Sequence, residues 1–268
     1  GASRPARLAG PRRRAYLLFM AKEVDKRRDE GRPPAESGGG EVQAFLDAMK
    51  QAPRPAEGRK GRLIFALDAT ASRQPTWDRA CDLQGEMFQV AASLGGLDVQ
   101  LVFYRGFGEC KASRWMSDPL ALARVMTGVA CLAGRTQISL VLRHALKAAK
   151  EENASALVFV GDAMEEDPDE LGDLAGQLGL VNLPCFFFHE GRDAGVRSVF
   201  SQIGKLSGGA CCAFDPAAPQ QLRDLLAAVA AYAAGGRRAL LEVARARGGV
   251  ALQLTDRPGL GFDLDRAA

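Results

Sequence analysis

The stretch Leu63-Ile64-Phe65-Ala66-Leu67-Asp68-Ala69-Thr70-Ala71-Ser72 sets the fold of this chain. Five apolar residues follow one another without a polar break. Such a run suits a strand covered on both faces, as in a parallel sheet, rather than one with a wet side. The run stops at a carboxylate, and two hydroxyls follow at alternate positions. Ligands of open α/β sheets bind outside the carboxyl ends of the strands. Asp68, Thr70 and Ser72 therefore stand where such a sheet binds.

Working outward, the rest of the chain repeats the same texture. Pro75 to Leu94 reads as a helix, with Pro75 suited to its first turn. Val99 to Tyr104 is the next strand, and Gly106 and Gly108 turn it into Glu109 to Ala112, an antiparallel edge strand. Asp118 and Pro119 open a helix to about Val129 as N-cap and first residue. Gly134-Arg135-Thr136 is a loop before a helix over Ile138 to Lys150. Ala156 to Val160 is a buried strand ending in Gly161-Asp162. Helices over 169–178 and 196–206 flank a strand over 183–189, and 210–214 is a short last strand before a helix over 219–233. Strands alternating with helices predict a Rossmann-like three-layer α/β/α sandwich, its central sheet mostly parallel with one antiparallel edge strand. Residues 1–60 read as a basic N-terminal extension with short helices and a linker, 61–233 as the α/β domain, and 234–268 as a C-terminal extension. Within the first of these, Val42, Phe45, Leu46 and Met49 mark an amphipathic helix over 41–50. A helix is expected over 239–246, and strands near 250–254 and 260–264.

Thr136 and Asp162 fall in loops at the same sheet edge as Asp68. Two carboxylates and three hydroxyls are hard oxygen donors, which suit Mg²⁺ and its octahedral oxygen shell. So few carboxylates leave the ion electrophilic toward an acid from outside. That chemistry captures a partner's carboxylate rather than burying a structural ion.

Asp68-Ala69-Thr70-Ala71-Ser72, Thr136 and Asp162 resemble the D-x-[ST]-x-S, Thr and Asp elements of the metal-ion-dependent adhesion site (MIDAS) of von Willebrand factor type A (VWA) domains, in the manner of intracellular bacterial members. Thr136 follows Thr70 by 66 positions, and Asp162 follows Thr136 by 26. The resemblance spans roughly residues 61–233. It implies that Thr70, Ser72 and Thr136 ligate Mg²⁺ (or Mn²⁺ or Ca²⁺) directly, and that Asp68 and Asp162 do so directly or through water. It implies a non-enzymatic, cytoplasmic protein-interaction module whose partner offers an exposed Asp or Glu, in the setting of an ATPase or chaperone-type machine. Arg73, Trp77 and Arg135 are expected to touch that partner, with Trp115 also near the site's loops. Thr70 stands where Ser is commoner, Ala163 where glycine is usual, and Arg73 brings a cation beside the motif.

Two other readings stay open. Asp68 and Thr70 also resemble part of the D-x-D-x-T motif of haloacid dehalogenase phosphatases, which would make a Mg²⁺-dependent enzyme. The second aspartate of that motif is replaced by Thr70, which removes the general acid, and no phosphate loop or nucleophile elbow is present. An RNA-associated VWA protein is the other reading, on the strength of a basic N-terminus. Elsewhere the bland readings prevail. Glu165-Glu166-Asp167-Pro168-Asp169-Glu170 reads as a solvated helix start. His144 and His189 lack partners at zinc spacing, and Cys81 and Cys131 lack a histidine partner.

The composition fits this picture. Of 268 residues, 47% are hydrophobic and 25% charged, as in a globular domain, and the net charge of +3 does not mark the whole chain for nucleic acid. The basic residues crowd the start, at Arg4, Arg7, Arg12, Arg13, Arg14 and Lys26-Arg27-Arg28, and read as a solvated arm. Six cysteines without a C-x-x-C pair, several inside apolar runs, suggest a reduced cytosol. No stretch approaches the ~18 apolar residues of a membrane helix. Tyr16 to Met20 is too short for a signal-peptide core. Gly1 is not an initiator residue, so upstream sequence is expected to have been removed or replaced.

Overall fold

The computed structural model describes residues 38–52, 60–92, 96–214 and 219–246. All of them belong to one compact unit, Ser37–Ala268. The basic arm, most of the linker and the strands expected near 250–254 and 260–264 lie outside the described residues.

Six strands form one sheet: β1 (Gly61–Asp68), β2 (Leu97–Arg105), β3 (Glu109–Ala112), β4 (Ala156–Gly161), β5 (Cys185–Glu190) and β6 (Ala210–Phe214). Their order is β3-β2-β1-β4-β5-β6. Every pairing is parallel except β2 with β3, which is antiparallel. This is the expected sandwich, with the antiparallel edge strand at the predicted residues. The order places a topological switch between β1 and β4. The chain leaves neighbouring strands there in opposite directions, which opens a crevice at their carboxyl ends.

Eight helices cover the described parts of the sheet: α1 (Gly38–Gln51), α2 (Gln74–Leu83), α3 (Gly85–Ala92), α4 (Pro119–Thr127), α5 (Ile138–Glu152), α6 (Pro168–Leu180), α7 (Ala194–Ser207) and α8 (Pro219–Ala246). Alternation along the strands builds both outer layers. Leu63, Phe65 and Leu67 of β1 join Val158 and Val160 of β4 in one core, with α1 to α4 and α8. Ile64 and Ala66 join Leu157, Phe159 and Phe187 in the other, under α5, α6 and α7. The uninterrupted apolar runs follow from this two-sided burial.

Three elements differ from the sequence expectation. The single helix foreseen over 75–94 is a 3-10 turn, Ala71–Arg73, followed by α2 and α3, interrupted at Gln84 next to Gly85, a weak helix former. The amphipathic helix expected within the extension is α1, and it packs into the core. Phe45 meets Phe186 and Phe188 edge-on at 5.8 and 5.5 Å. The helices expected over 219–233 and 239–246 run together as α8, broken only at Gly236, whose φ of 66° suits a residue without Cβ. Tyr232 on α8 packs edge-on against Phe186 at 5.5 Å, so α8 shares the core with α1. No helix among the described residues is long and apolar enough to cross a membrane.

Candidate metal centre

Asp68 is the last residue of β1, and its backbone stays tied to the sheet, with Ala69 N–H donating to Tyr104 O at 3.0 Å. Burial at this strand end leaves the Asp68 side chain almost without solvent. Its Oδ1 accepts the Thr70 N–H at 2.7 Å, and Arg73 N–H donates to Thr70 O at 3.0 Å. The 3-10 turn thus aims Thr70, Ala71 and Ser72 across the strand ends. Burial pushes the Asp68 carboxyl above its ordinary value, and the bonds from Thr70 and the charge of Arg73 only partly offset it.

The loop before α5 supplies Thr136. Leu132 N–H donates to Ala69 O at 3.0 Å and Arg135 N–H to Gly106 O at 3.0 Å, which pins the loop between the β1 exit and the β2–β3 hairpin. Gly134 makes this possible: a Cβ there would lie 2.2 Å from Gly106 O. The Thr136 hydroxyl donates to Glu166 Oε2 at 2.7 Å and accepts the Glu165 N–H at 2.9 Å. Asp162 follows β4.

Asp68, Thr70, Ser72, Thr136 and Asp162 line one pocket of about 320 Å³, with Gly134, Ala163 and Glu165 among its other walls. The five predicted residues are therefore together, at the carboxyl ends of β1 and β4 where the sheet order reverses. Among the described residues, no cluster of three or more His, Cys, Asp or Glu side chains is arranged to hold a metal. The donor set here is a different kind, two carboxylates among hydroxyls. It fits a hard, oxygen-seeking cation that keeps part of its water shell.

Arg73 changes the electrostatics. The side chain is buried, with Nη1 3.1 Å from Asp162 Oδ2 and Nη2 donating to Glu190 Oε2. The Thr76 hydroxyl also donates to Glu190. Burial opposes charge on the guanidinium, but the bond to Glu190 and the charges of Asp162, Glu190 and Asp68 prevail and raise its pKa. Formally, three carboxylates against one guanidinium leave this cluster at −2, the charge a divalent cation balances.

Two expected partner contacts are corrected. Trp77 is core: its Nε1–H donates to Met126 O at 3.0 Å and its ring meets Phe103 edge-on at 5.9 Å. Arg73 faces inward, not outward, because two carboxylates hold it. Arg135 is exposed beside the pocket. Trp115 sits at the other end of the sheet, under the Arg62 guanidinium and bonded to Glu152 at the end of α5.

Sequence reasoning missed Glu165, Glu166 and Glu190. The acidic run is not simply a solvated helix start. Asp167 caps α6 through the Asp169 N–H at 3.0 Å, whereas Glu166 turns back to accept the Ser139 N–H at 3.1 Å at the start of α5. Glu190 ends β5 at the same sheet edge as Asp68 and Asp162, a position that could have flagged it.

No protein-family model matches the chain, and no curated protein matches it. Solved structures do. A single-residue mutant of the PilB minor pilin from Streptococcus sanguinis is similar at TM-score 0.52 and 11% identity, over 66% of this chain and 62% of that one. The chain thus spans under two thirds of that pilin. The SpRpn10 VWA domain is similar at TM-score 0.49 and 15% identity, over 63% and 94% of the two chains. The vWF domain of the type V pili tip protein Mfa5 from Porphyromonas gingivalis is similar at TM-score 0.48 and 9% identity, over 64% and 96%. These are likenesses of fold alone.

Proposed function

We propose that this chain is a metal-dependent protein-interaction module that takes an Asp or Glu side chain of a partner protein through a divalent cation. One observation carries the reading: five oxygen-bearing residues, from three loops far apart in sequence, line a single pocket at the switch point of the sheet. Thr70, Ser72 and Thr136 would hold the ion by their hydroxyls, with Asp68 and Asp162 bound directly or through water. Mg²⁺ is the first choice, with Mn²⁺ and Ca²⁺ as substitutes of the same oxygen preference. When bound, the ion supplies an electrophilic position for an incoming carboxylate.

The chain's own residues supply the remainder. The β1 backbone and the Thr70 N–H orient Asp68. Glu165 and Glu166 orient Thr136. Exposed Phe107 and Leu132, with Arg135, supply apolar and charged rim surface beside the pocket. Aromatic residues and Arg are enriched in protein interfaces. Thr70 stands where the D-x-D-x-T phosphatase motif has its second aspartate, which favours binding over turnover.

Calorimetric titration of Mg²⁺ and Mn²⁺ into wild type and Asp68→Ala tests this. Wild type is expected to bind and the variant to bind at least about tenfold more weakly, the usual scale for losing a metal-site group. Equal binding in both, or none in either, refutes the proposal.

A further inference from the structure

We infer that Arg73 competes with the divalent cation for the carboxylate of Asp162, with Glu190 tethering the guanidinium in place, so that the Arg73–Glu190 pair sets the metal affinity of the site. The inference rests on the metal reading above and adds a determinant that the five-residue motif does not contain.

The geometry is specific. Arg73 leaves the 3-10 turn immediately after Ser72, and its guanidinium spans the exits of two neighbouring strands. One arm meets Asp162 after β4, at 3.1 Å, and the other meets Glu190 at the end of β5. Thr76 on α2 fixes Glu190 from the opposite side. A guanidinium is a planar fork, so two carboxylates at its two arms define its position tightly. It is also almost fully buried, and its charge is therefore little screened by water.

Asp162 consequently divides its charge. Its Oδ2 faces Arg73, and a cation drawing on the same carboxylate is repelled by the guanidinium beside it. The charge of Asp68 is felt at Arg73, but the ion pairs of the guanidinium are with Asp162 and Glu190. The carboxylate held in common is thus Asp162. Glu190 works in the opposite sense, since it neutralises the guanidinium and draws it toward β5. Without Glu190, Arg73 has Asp162 as its nearest carboxylate and the site loses one negative charge.

The test is Mn²⁺ titration by calorimetry, with the free ion followed by electron paramagnetic resonance, on the full chain. Four proteins are compared: wild type, Arg73→Gln/Glu190→Gln, Glu190→Gln and Asp68→Ala. The double substitution removes one charge of each sign, so the formal charge of the site is unchanged and only the hold on Asp162 is released. It is expected to bind Mn²⁺ about tenfold more tightly than wild type. Glu190→Gln alone is expected to bind more weakly, and the opposite signs keep the test decisive if either protein folds poorly. Unchanged affinity in both, with Asp68→Ala still defective, overturns the role of Arg73 and leaves the metal site standing. Binding that is absent throughout, or indifferent to Asp68→Ala, overturns the metal reading itself and this inference with it.

Discussion

Arg73 Nη1 lies 3.1 Å from Asp162 Oδ2, joining the turn after β1 to the loop after β4 through a buried guanidinium. Its other arm reaches Glu190, whose side chain is also largely covered, so the three groups are an internal ion network. Removing Glu190 leaves the buried Arg73 guanidinium only partly compensated, by the more exposed Asp162. Glu190→Ala is therefore expected to destabilise the metal-free protein by about 3 kcal/mol, the lower end for breaking a buried pair. Urea unfolding followed by circular dichroism measures it. A loss below about 1 kcal/mol would mean that the network behaves like a surface pair.

Asp68 presents the reverse balance. Burial raises its carboxyl above the ordinary value, so the native state binds that proton more tightly than the unfolded chain does. A carboxyl shifted upward stabilises the fold most at low pH and loses that contribution as pH rises through its native value. At neutral pH the buried charge is thus a cost. Asp68→Asn should match or exceed the thermal midpoint of wild type in EDTA, while Mg²⁺ should raise the midpoint of wild type alone. A lower midpoint for the variant in EDTA would show that Thr70 and Arg73 more than repay the burial.

Much of this was legible before the fold was known, for physical reasons. The runs 63–67 and 156–160 are apolar at every position because both faces are covered, and an acid, Asp68 or Asp162, follows each within two residues where the strand exits open onto the pocket. Side-chain direction was not legible. Arg73 is one residue beyond an exposed Ser72, and only the 3-10 turn reveals that it points inward. Glu165 and Glu166 lie in an acidic run whose local logic, a favourable helix dipole, is satisfied by Asp167, Asp169 and Glu170. Their turn back to Thr136 is tertiary. The packing of α1 was hidden in the same way: its amphipathic pattern was plain, but Phe186 and Phe188 as its seat lie about 140 residues away in the chain, a contact that no local pattern of the kind used for helices encodes.

Trp77 separates packing from binding. Its indole is buried between α4 and β2, with the N–H satisfied by Met126 O. Trp77→Ala should cost about 3–5 kcal/mol, the range for emptying a core aromatic site. Trp77→Phe, which keeps most of the volume, should cost less and leave Mn²⁺ affinity at the wild-type value. Urea midpoints and calorimetry read the two effects separately. A Trp77→Phe protein of normal stability but altered metal affinity would return Trp77 to the site.

The chain's two histidines fix the sign of its acid response. Burial lowers the pKa of His144, whose Nε2 lies 2.7 Å from Gln100 Oε1, with the Glu152 charge only partly opposing. Burial likewise lowers His189, which packs edge-on against Phe200 at 5.7 Å, and the Arg197 cation adds to the effect. A histidine lowered on folding takes up its proton more readily in the unfolded chain. Its contribution to stability is therefore whole above the unfolded value of about 6.5 and is lost as pH falls below it toward the native pKa. Stability should decline from pH ~6.5 downward before most carboxylates titrate. With only two imidazoles, their proton resonances followed by NMR against pH assign the effect directly. Both should titrate below ~6.5, and a native pKa above that value for either one would reverse the sign for that residue.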